Sequence, residues 1–537
     1  MGGSPPAGDS SVWGLSPRQA AMLAGIVIAT IAIYIPSLRN SWVFDDWKEF
    51  VENKTIHSWP FIWNAFRYDS WWFLNPDHLP QSAYYRPIEN LWFAANDFFF
   101  GKNPALWHLA KILLHAMVVV LVFRLAQLLT GDAATGLLTA AIFAVMPAHV
   151  GGVVWASAIP EPLSTAFELG AMVCLIERGP GWSRGLFGAV ILFACAMLTH
   201  ESAILFPLIV AVYVFLFEED GQVSDSETQA VRTRRRIVSA LRTCAPFAAV
   251  VFAYMCARLN ALGFNLLFGI HYNAGASMVM PGVEVSRPHY GPLAIFMTLP
   301  VALITYVAVL ALPAMSGPTH AVEWITHPEP IVFISATALV ILGAAGFALA
   351  WRSPNRRIYL FCAAWGFLTI APALNLNALW WLVDDRYLYA PSFGWSLAFA
   401  LAVVEIAATG SRARRTVGAA MTVLLALYAL SAMQTERYWH DDVAFFGRCV
   451  EIGPTVADYR WRLAAAQNKA HDVQGAARTL EQGTILDPDD AHLHLKLAQQ
   501  YQMMGRQLDF QREFQKFNEL SAAIRQQQRA AKSSGAP

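Results

Sequence analysis

The chain has 537 residues, 56% of them hydrophobic and 14% charged, with a mean hydropathy of +0.39. A soluble globule usually carries about 25% charged residues, so this composition excludes one and describes a membrane protein. The 38 basic and 38 acidic residues balance at a pI near 7.2, which leaves no global field for nucleic acid and makes the local arginine clusters the informative charges.

Residues 1–18 read as a disordered tail; the start MGGSPP lacks the Ser or Thr of a myristoylation signal. The apolar run 19–38 ends in IPSLRN without a small-residue cleavage site, which predicts a retained anchor rather than a removed signal. Further apolar runs lie at 105–129, 133–149, 161–179, 184–201, 202–218, 241–262, 292–312, 330–351, 358–377, 386–408 and 417–433, each near the length that spans a bilayer. Arginines at 178 and 184, at 232 and 234–236, at 352, 356 and 357, and at 412, 414 and 415 mark the cytoplasmic side. Three runs separate Arg236 from Arg352, although an inside-to-inside path needs an even number of crossings. The run 292–312, bounded by Pro292 and Pro313 and containing Pro300, is therefore expected to be re-entrant or interfacial. About eleven full spans remain, and loops 39–104, 147–160, 263–291, 313–329 and 378–385 then share one outer compartment. Five of the six cysteines fall in apolar runs and Cys449 in a predicted helix, so neither a disulfide framework nor a zinc site is expected.

After Arg437 the pattern turns soluble and helical. Pro454 recurs as Pro488, 34 residues later, the period of a tetratricopeptide repeat. Leu463, Ala464, Ala476 and Leu480 occupy the repeat's core positions, and Leu497, Ala498, Tyr501 and Phe514 continue the register. Repeats over 437–525, led by a helix near 441–451, are expected to precede a disordered tail at 526–537.

Candidate chemistry gathers in the outer loops. WVFDDWKEF at 42–50 places Asp45 and Asp46 where the first span emerges. Asp46 and Glu49 have capping-box spacing, which leaves Asp45 to point into a cleft and take a proton. Arg86 follows Tyr84 and Tyr85; an interfacial anchor and a phosphate ligand both suit it. His149, Glu161, His200 and Glu201 lie at span ends, where ionisable groups are costly, yet they show no HxH or HExxH spacing, so no metal site is assigned. In the 375–392 stretch, Arg386 cannot pair with adjacent Asp385 on a helix and is open to another anion.

Together these residues resemble the transmembrane and tetratricopeptide-repeat-containing O-mannosyltransferases (TMTC), within the C-type glycosyltransferase superfamily (GT-C). The resemblance rests on Asp45-Asp46 followed by Asn53, on Tyr85-Arg86-Pro87 ahead of a span bearing His108 and His115, on Pro147-x-His149, on Glu201, on Asp385 through Ser392, and on the C-terminal repeats. The array is shorter than in the family's animal members and looks like that of a bacterial relative. Three positions depart from the family pattern: Gly151 replaces a glutamate, Ile159 an arginine and His200 a lysine.

The resemblance implies an all-α, polytopic, GT-C-like bundle of about 11–12 transmembrane helices over 19–436. Its activity would be inverting transfer of a sugar such as mannose from a polyprenyl-phosphate donor to a protein Ser/Thr hydroxyl, outside the cytoplasmic membrane. Asp45 would be the general base with Asp46 assisting, and Arg86, Arg386 and His200 would bind the donor phosphate. Tyr85, His149, Glu161, Glu201, Asp385 and Tyr389 would line the cleft. The lipid-linked sugar is a substrate, so no cofactor is required and a divalent metal is not indicated. The repeats would hold a protein or glycan acceptor. A lipid or envelope-glycan acceptor, and a non-catalytic scaffold, are the rival readings.

Overall fold

A computed structural model of the chain describes residues 12–75, 82–178, 184–217, 229–267, 290–374 and 381–533. Residues 375–380 of the Arg386 stretch and residues 268–289 of loop 263–291 lie outside the described residues. Every regular element among the described residues is helical, and each of the twelve apolar runs forms helix.

Local signals set the helix ends. Ser16 and Gln19 close a capping box ahead of Pro17–Tyr34. Asn103 caps Pro104–Thr130, which stops at the left-handed Gly131, and Asp132 at once caps Ala133–Ala144. Eight helices are long and apolar enough to cross a membrane, and Ala133–Ala144 with Pro147–Val154 make a ninth if that bent pair is one span. The chain is thus a multi-pass membrane protein. Pro160–Arg178, Arg184–Thr199 and Phe206–Phe217 complete the bundle; Arg184–Thr199 and Phe206–Phe217 are short for a span, and Pro160–Arg178 carries Glu161, Glu168, Glu177 and Arg178.

The run 292–312 is one continuous helix, Pro292–Ala311, long and apolar enough to cross a membrane, and the interior Pro300 removes one backbone donor without ending it. The broken element is instead 133–154, where the two helices meet at 57° beside Pro147. The tails are also more ordered than composition suggests: Pro17–Tyr34 starts inside the expected tail, with Trp13 against Phe123, and Gln507–Ser533 runs helical past residue 526.

The C-terminal helices Asp442–Ile452, Ala457–Lys469, Val473–Leu486, Ala491–Met503 and Gln507–Ser533 follow one another through short turns. Ala464, Ala476, Leu480, Leu493, Leu497, Ala498 and Tyr501 are buried between them. The 34-residue period is visible in hydrogen bonds, since Arg460 Nε donates to Pro454 O at 2.9 Å and His494 Nε2 meets Pro488 O at 3.0 Å. Phe514, expected in register with Leu480, is 39% exposed on the helix Gln507–Ser533.

Close helix packing in the bundle depends on Gly394, where a Cβ would lie 2.5 Å from Cys362 O and 3.3 Å from Gly366 N. Gly394→Ala is expected to lower stability by about 1–3 kcal/mol, read as an earlier thermal transition in detergent; an unchanged transition would show that Pro391–Ala408 is not pressed against Arg356–Ile370.

Candidate active site

The bend at Pro147 carries the chain from Val154 to Ile159 over the end of the bundle, where Ser157 meets the first loop. Asp46 Oδ1 accepts from Ser157 N at 2.8 Å and Ser157 Oγ at 2.6 Å, and its Oδ2 accepts from Val43 N at 2.9 Å. Both oxygens are therefore committed. The expected capping box is absent: Trp47–Val51 is a π-helical turn and the Asp46 side chain caps nothing. Asp46 is buried and ties the loop to Ser157.

Asp45 is different. Its carboxylate is half-buried and accepts no hydrogen bond among the described residues. Burial pushes the Asp45 carboxyl up to about 6, while Arg462, Arg386 and Lys48 pull it down and Asp442 adds to the rise. The preceding Phe44 sits at φ +56°, a left-handed conformation that costs a residue with a Cβ about 1–2 kcal/mol.

Arg386 lies on the short helix Asp385–Leu388. Its Nε is 3.0 Å from Asp384 Oδ2 and 3.5 Å from Glu161 Oε1, and its guanidinium stands 4.8 Å from the Trp155 ring centre. As expected, it does not pair with Asp385. That carboxylate turns away, with Oδ2 accepting from Ser316 Oγ at 2.5 Å and Gly317 N at 2.9 Å, and Oδ1 meeting His320 Nε2 at 2.5 Å. Asp385 is thus a buried clamp on the 313–320 loop and not a cleft-lining residue. Burial opposes the Arg386 charge, but Asp384, Tyr387 and Glu161 outweigh it.

Arg86 has a partner that the sequence did not assign to it. Its Nε and Nη2 fork onto Glu201 at 2.8 and 2.7 Å, with His200 Nε2 at 3.2 Å from Nη2. Arg86 thus forms a wall ion pair with Glu201, with His200 beside it, through two nitrogens of its guanidinium, whereas the carboxylate contacts of Arg386 run through Nε alone, which leaves Arg386 the better placed cation. Beside them, burial pushes the Glu89 carboxyl up to about 8, with Arg86 pulling it down and Glu201 and Glu161 adding to the rise. Buried Glu49 is raised further by burial, Glu89 and Asp45. Among the described residues no three His, Cys, Asp or Glu side chains are grouped to hold a metal ion.

The other expected lining residues are core. Tyr85 OH donates to Phe66 O at 3.0 Å. His149 Nε2 meets Ser392 Oγ at 2.8 Å, and Tyr389 OH meets His115 Nδ1 at 2.6 Å, all fully enclosed among aromatic rings. The Gly151 departure is explained by Trp439, 3.3 Å from where a Cβ would stand, so a glutamate there would displace an indole stacked on Trp155.

Several site residues escaped the sequence reading. Lys111 is buried, donates to Trp155 O and faces the Asp46 side of the cleft; a lone cation inside the 105–129 run was its signal. Ser157, Asp442 and Arg462 gave none. Glu201→Ala strands the Arg86 charge and is expected to cost about 3 kcal/mol, the low end for a buried pair because this one is partly exposed. The double change Arg86→Met with Glu201→Leu should cost less than Glu201→Ala alone in thermal unfolding; a larger loss would show that the pair itself stabilises the fold.

No protein-family model matches the chain. It is 23% identical over 504 residues to Protein O-mannosyl-transferase TMTC3 of Mus musculus, covering 90% of this chain and 53% of that protein. With Protein O-mannosyl-transferase Tmtc3 of Drosophila melanogaster it shares 24% over 539 residues, or 90% and 57% of the two chains. The chain thus spans about half the length of the curated relatives it matches. Among solved structures, the Archaeoglobus fulgidus oligosaccharyltransferase tethered with an acceptor peptide overlaps loosely, with a TM-score of 0.43 and 16% identity over 84% of this chain and 59% of that one. The chain is a multi-pass membrane protein similar to these protein O-mannosyl-transferases along 90% of its own length.

Proposed function

We propose that the chain is an inverting glycosyltransferase. It moves a sugar, mannose or similar, from a polyprenyl-phosphate donor to a protein Ser/Thr hydroxyl at the outer, periplasmic face of the cytoplasmic membrane. One observation carries the reading: Asp45 is a half-buried carboxylate with no hydrogen-bond partner among the described residues, and Arg386 is among the cations acting on it. The relatives' names, protein O-mannosyl-transferase, support the sugar and the acceptor class.

The chemistry needs these two groups. As the acceptor oxygen bonds to the anomeric carbon, its proton passes to Asp45 and the bond from that carbon to the phosphate oxygen breaks. The lipid phosphate leaves with the electron pair, and its second pKa near 6 makes a cation, Arg386, more useful than an acid. Two matched carboxyl groups, as a glycosidase uses, are not required. A lipid or envelope-glycan hydroxyl would react in the same way, so product analysis decides the acceptor.

The base works only when ionised, and burial raises its pKa, so transfer should rise as pH increases through about 6 and then level off. Purified protein given polyprenyl-phosphate mannose should label acceptor protein, and Asp45→Asn should lose roughly 100-fold or more of kcat. Equal labelling by Asp45→Asn would remove Asp45 as the base. Absence of transfer over a wide range of donors would favour a scaffold.

A further inference from the structure

Asp45 is aimed from two directions. On one side lies the membrane bundle, with Arg386. On the other lies the first hairpin of the C-terminal helices, Asp442–Ile452 with Ala457–Lys469. Asp442 Oδ1 accepts from Phe44 N at 2.7 Å, across 398 residues of sequence. Phe44 is one of three non-glycine residues at positive φ among those described. Its ring lies 5.7 Å from Phe446, 6.2 Å from Phe445 and 4.9 Å from the Arg462 guanidinium. The contact extends along the loop, since Ser41 N donates to His440 O at 2.8 Å and Lys469 Nζ stands 3.6 Å from the Trp47 ring centre.

We propose that this hairpin is part of the catalytic cleft: Asp442 fixes the backbone that aims Asp45, and Arg462 is the cation that faces Asp45 from the array's side. The proposal rests on the reading of Asp45 as the base. Both residues are positioning residues, acting on Asp45 and not on substrate. A left-handed Phe44 reverses the chain just before Asp45, and the bond to Asp442 gives its N–H a partner in that conformation. The charges acting on Asp45 are then Arg462, Arg386 and Lys48, which favour its ionised form, and Asp442 and Glu49, which oppose it. Arg462 is held in turn, with its Nε donating to Asp458 Oδ2 at 2.8 Å and its guanidinium 4.6 Å from the Trp461 ring centre. The array is therefore more than a tether for the acceptor, because the same helices that would meet an acceptor also set the base.

The test uses the full chain and the pH–rate profile of transfer from polyprenyl-phosphate mannose. Removing Arg462 removes a cation that favours ionised Asp45, so its pKa rises and the rise in rate moves to higher pH. Arg462→Gln should shift the midpoint upward by roughly one pH unit, and Arg462→Lys should restore most of it. Asp442→Ala should lower kcat at every pH by roughly tenfold or more. Thermal unfolding of each variant shows that it is folded, and the conservative Arg462→Lys serves if Arg462→Gln does not fold. An Arg462→Gln profile with the wild-type midpoint, in folded protein, would overturn the proposal. Isotope-edited infrared titration, with Asp45→Asn to identify the band, reads the carboxyl without turnover. A shifted band with an unshifted rate profile would remove Asp45 from the reaction, and the proposal with it. An unshifted band would contradict the charge contact alone.

Discussion

The hydrogen bond from Phe44 N to Asp442 joins two parts of the chain that lie 398 residues apart in sequence. It fixes a backbone conformation that an aromatic residue seldom adopts, and the packed rings of Trp155, Trp381, Phe445 and Phe446 make that conformation the one that buries Phe44 best. Directly after it the chain divides its two carboxylates. Asp46 turns inward to Ser157 and is consumed by structure, whereas Asp45 stays at the boundary between apolar bundle and water. On the proposed reading, a lipid-borne donor and a water-borne acceptor meet at such a boundary, and the two adjacent carboxylates take different duties there.

The electrostatics follow the same division. Arg86 is neutralised by Glu201, and Asp385 by His320 and two donors of the 316–317 turn. These closed pairs build the walls. Arg386 is less closed, touching two carboxylates through Nε while its plane lies near three aromatic rings. A planar guanidinium in that setting can exchange carboxylate contacts for a phosphate at little cost in reorganisation. Glu49 and Glu89, buried and pushed toward the protonated form, add shape without adding full negative charge beside a cleft that the proposed reaction requires to accept an anion.

Much of this was legible in the sequence because it depends on local rules. Apolar run length marked all twelve bundle helices, and the recurrence of Pro454 as Pro488 marked the repeats, whose helices now show the matching Arg460 and His494 bonds. Asp45 stood out as the member of an adjacent carboxylate pair that the capping-box spacing of Asp46 and Glu49 left without a structural duty. What could not be read was partnership at long range. The fork from Arg86 to Glu201 spans 115 residues, and the contact from Asp442 to Phe44 spans 398; neither has a spacing rule. His149 and Tyr389 were misread for a related reason, since a polar side chain near a span end looks the same in sequence whether it faces a cleft or, as here, an aromatic core. The chain bends at Pro147 but runs on as helix through Pro300, because the surrounding helix, not the proline alone, decides whether a break occurs.

The most direct measurement is a structure of the protein with a non-transferable polyprenyl-phosphonate sugar bound. Glycosyl transfer from this cleft predicts the phosphonate within hydrogen-bond reach of the Arg386 guanidinium and the anomeric carbon on the side of Asp45, with space between them for an acceptor oxygen. A phosphonate seated on Arg86 with the Glu201 pair opened, or a sugar lying beyond reach of Asp45, would contradict that arrangement of base and cation.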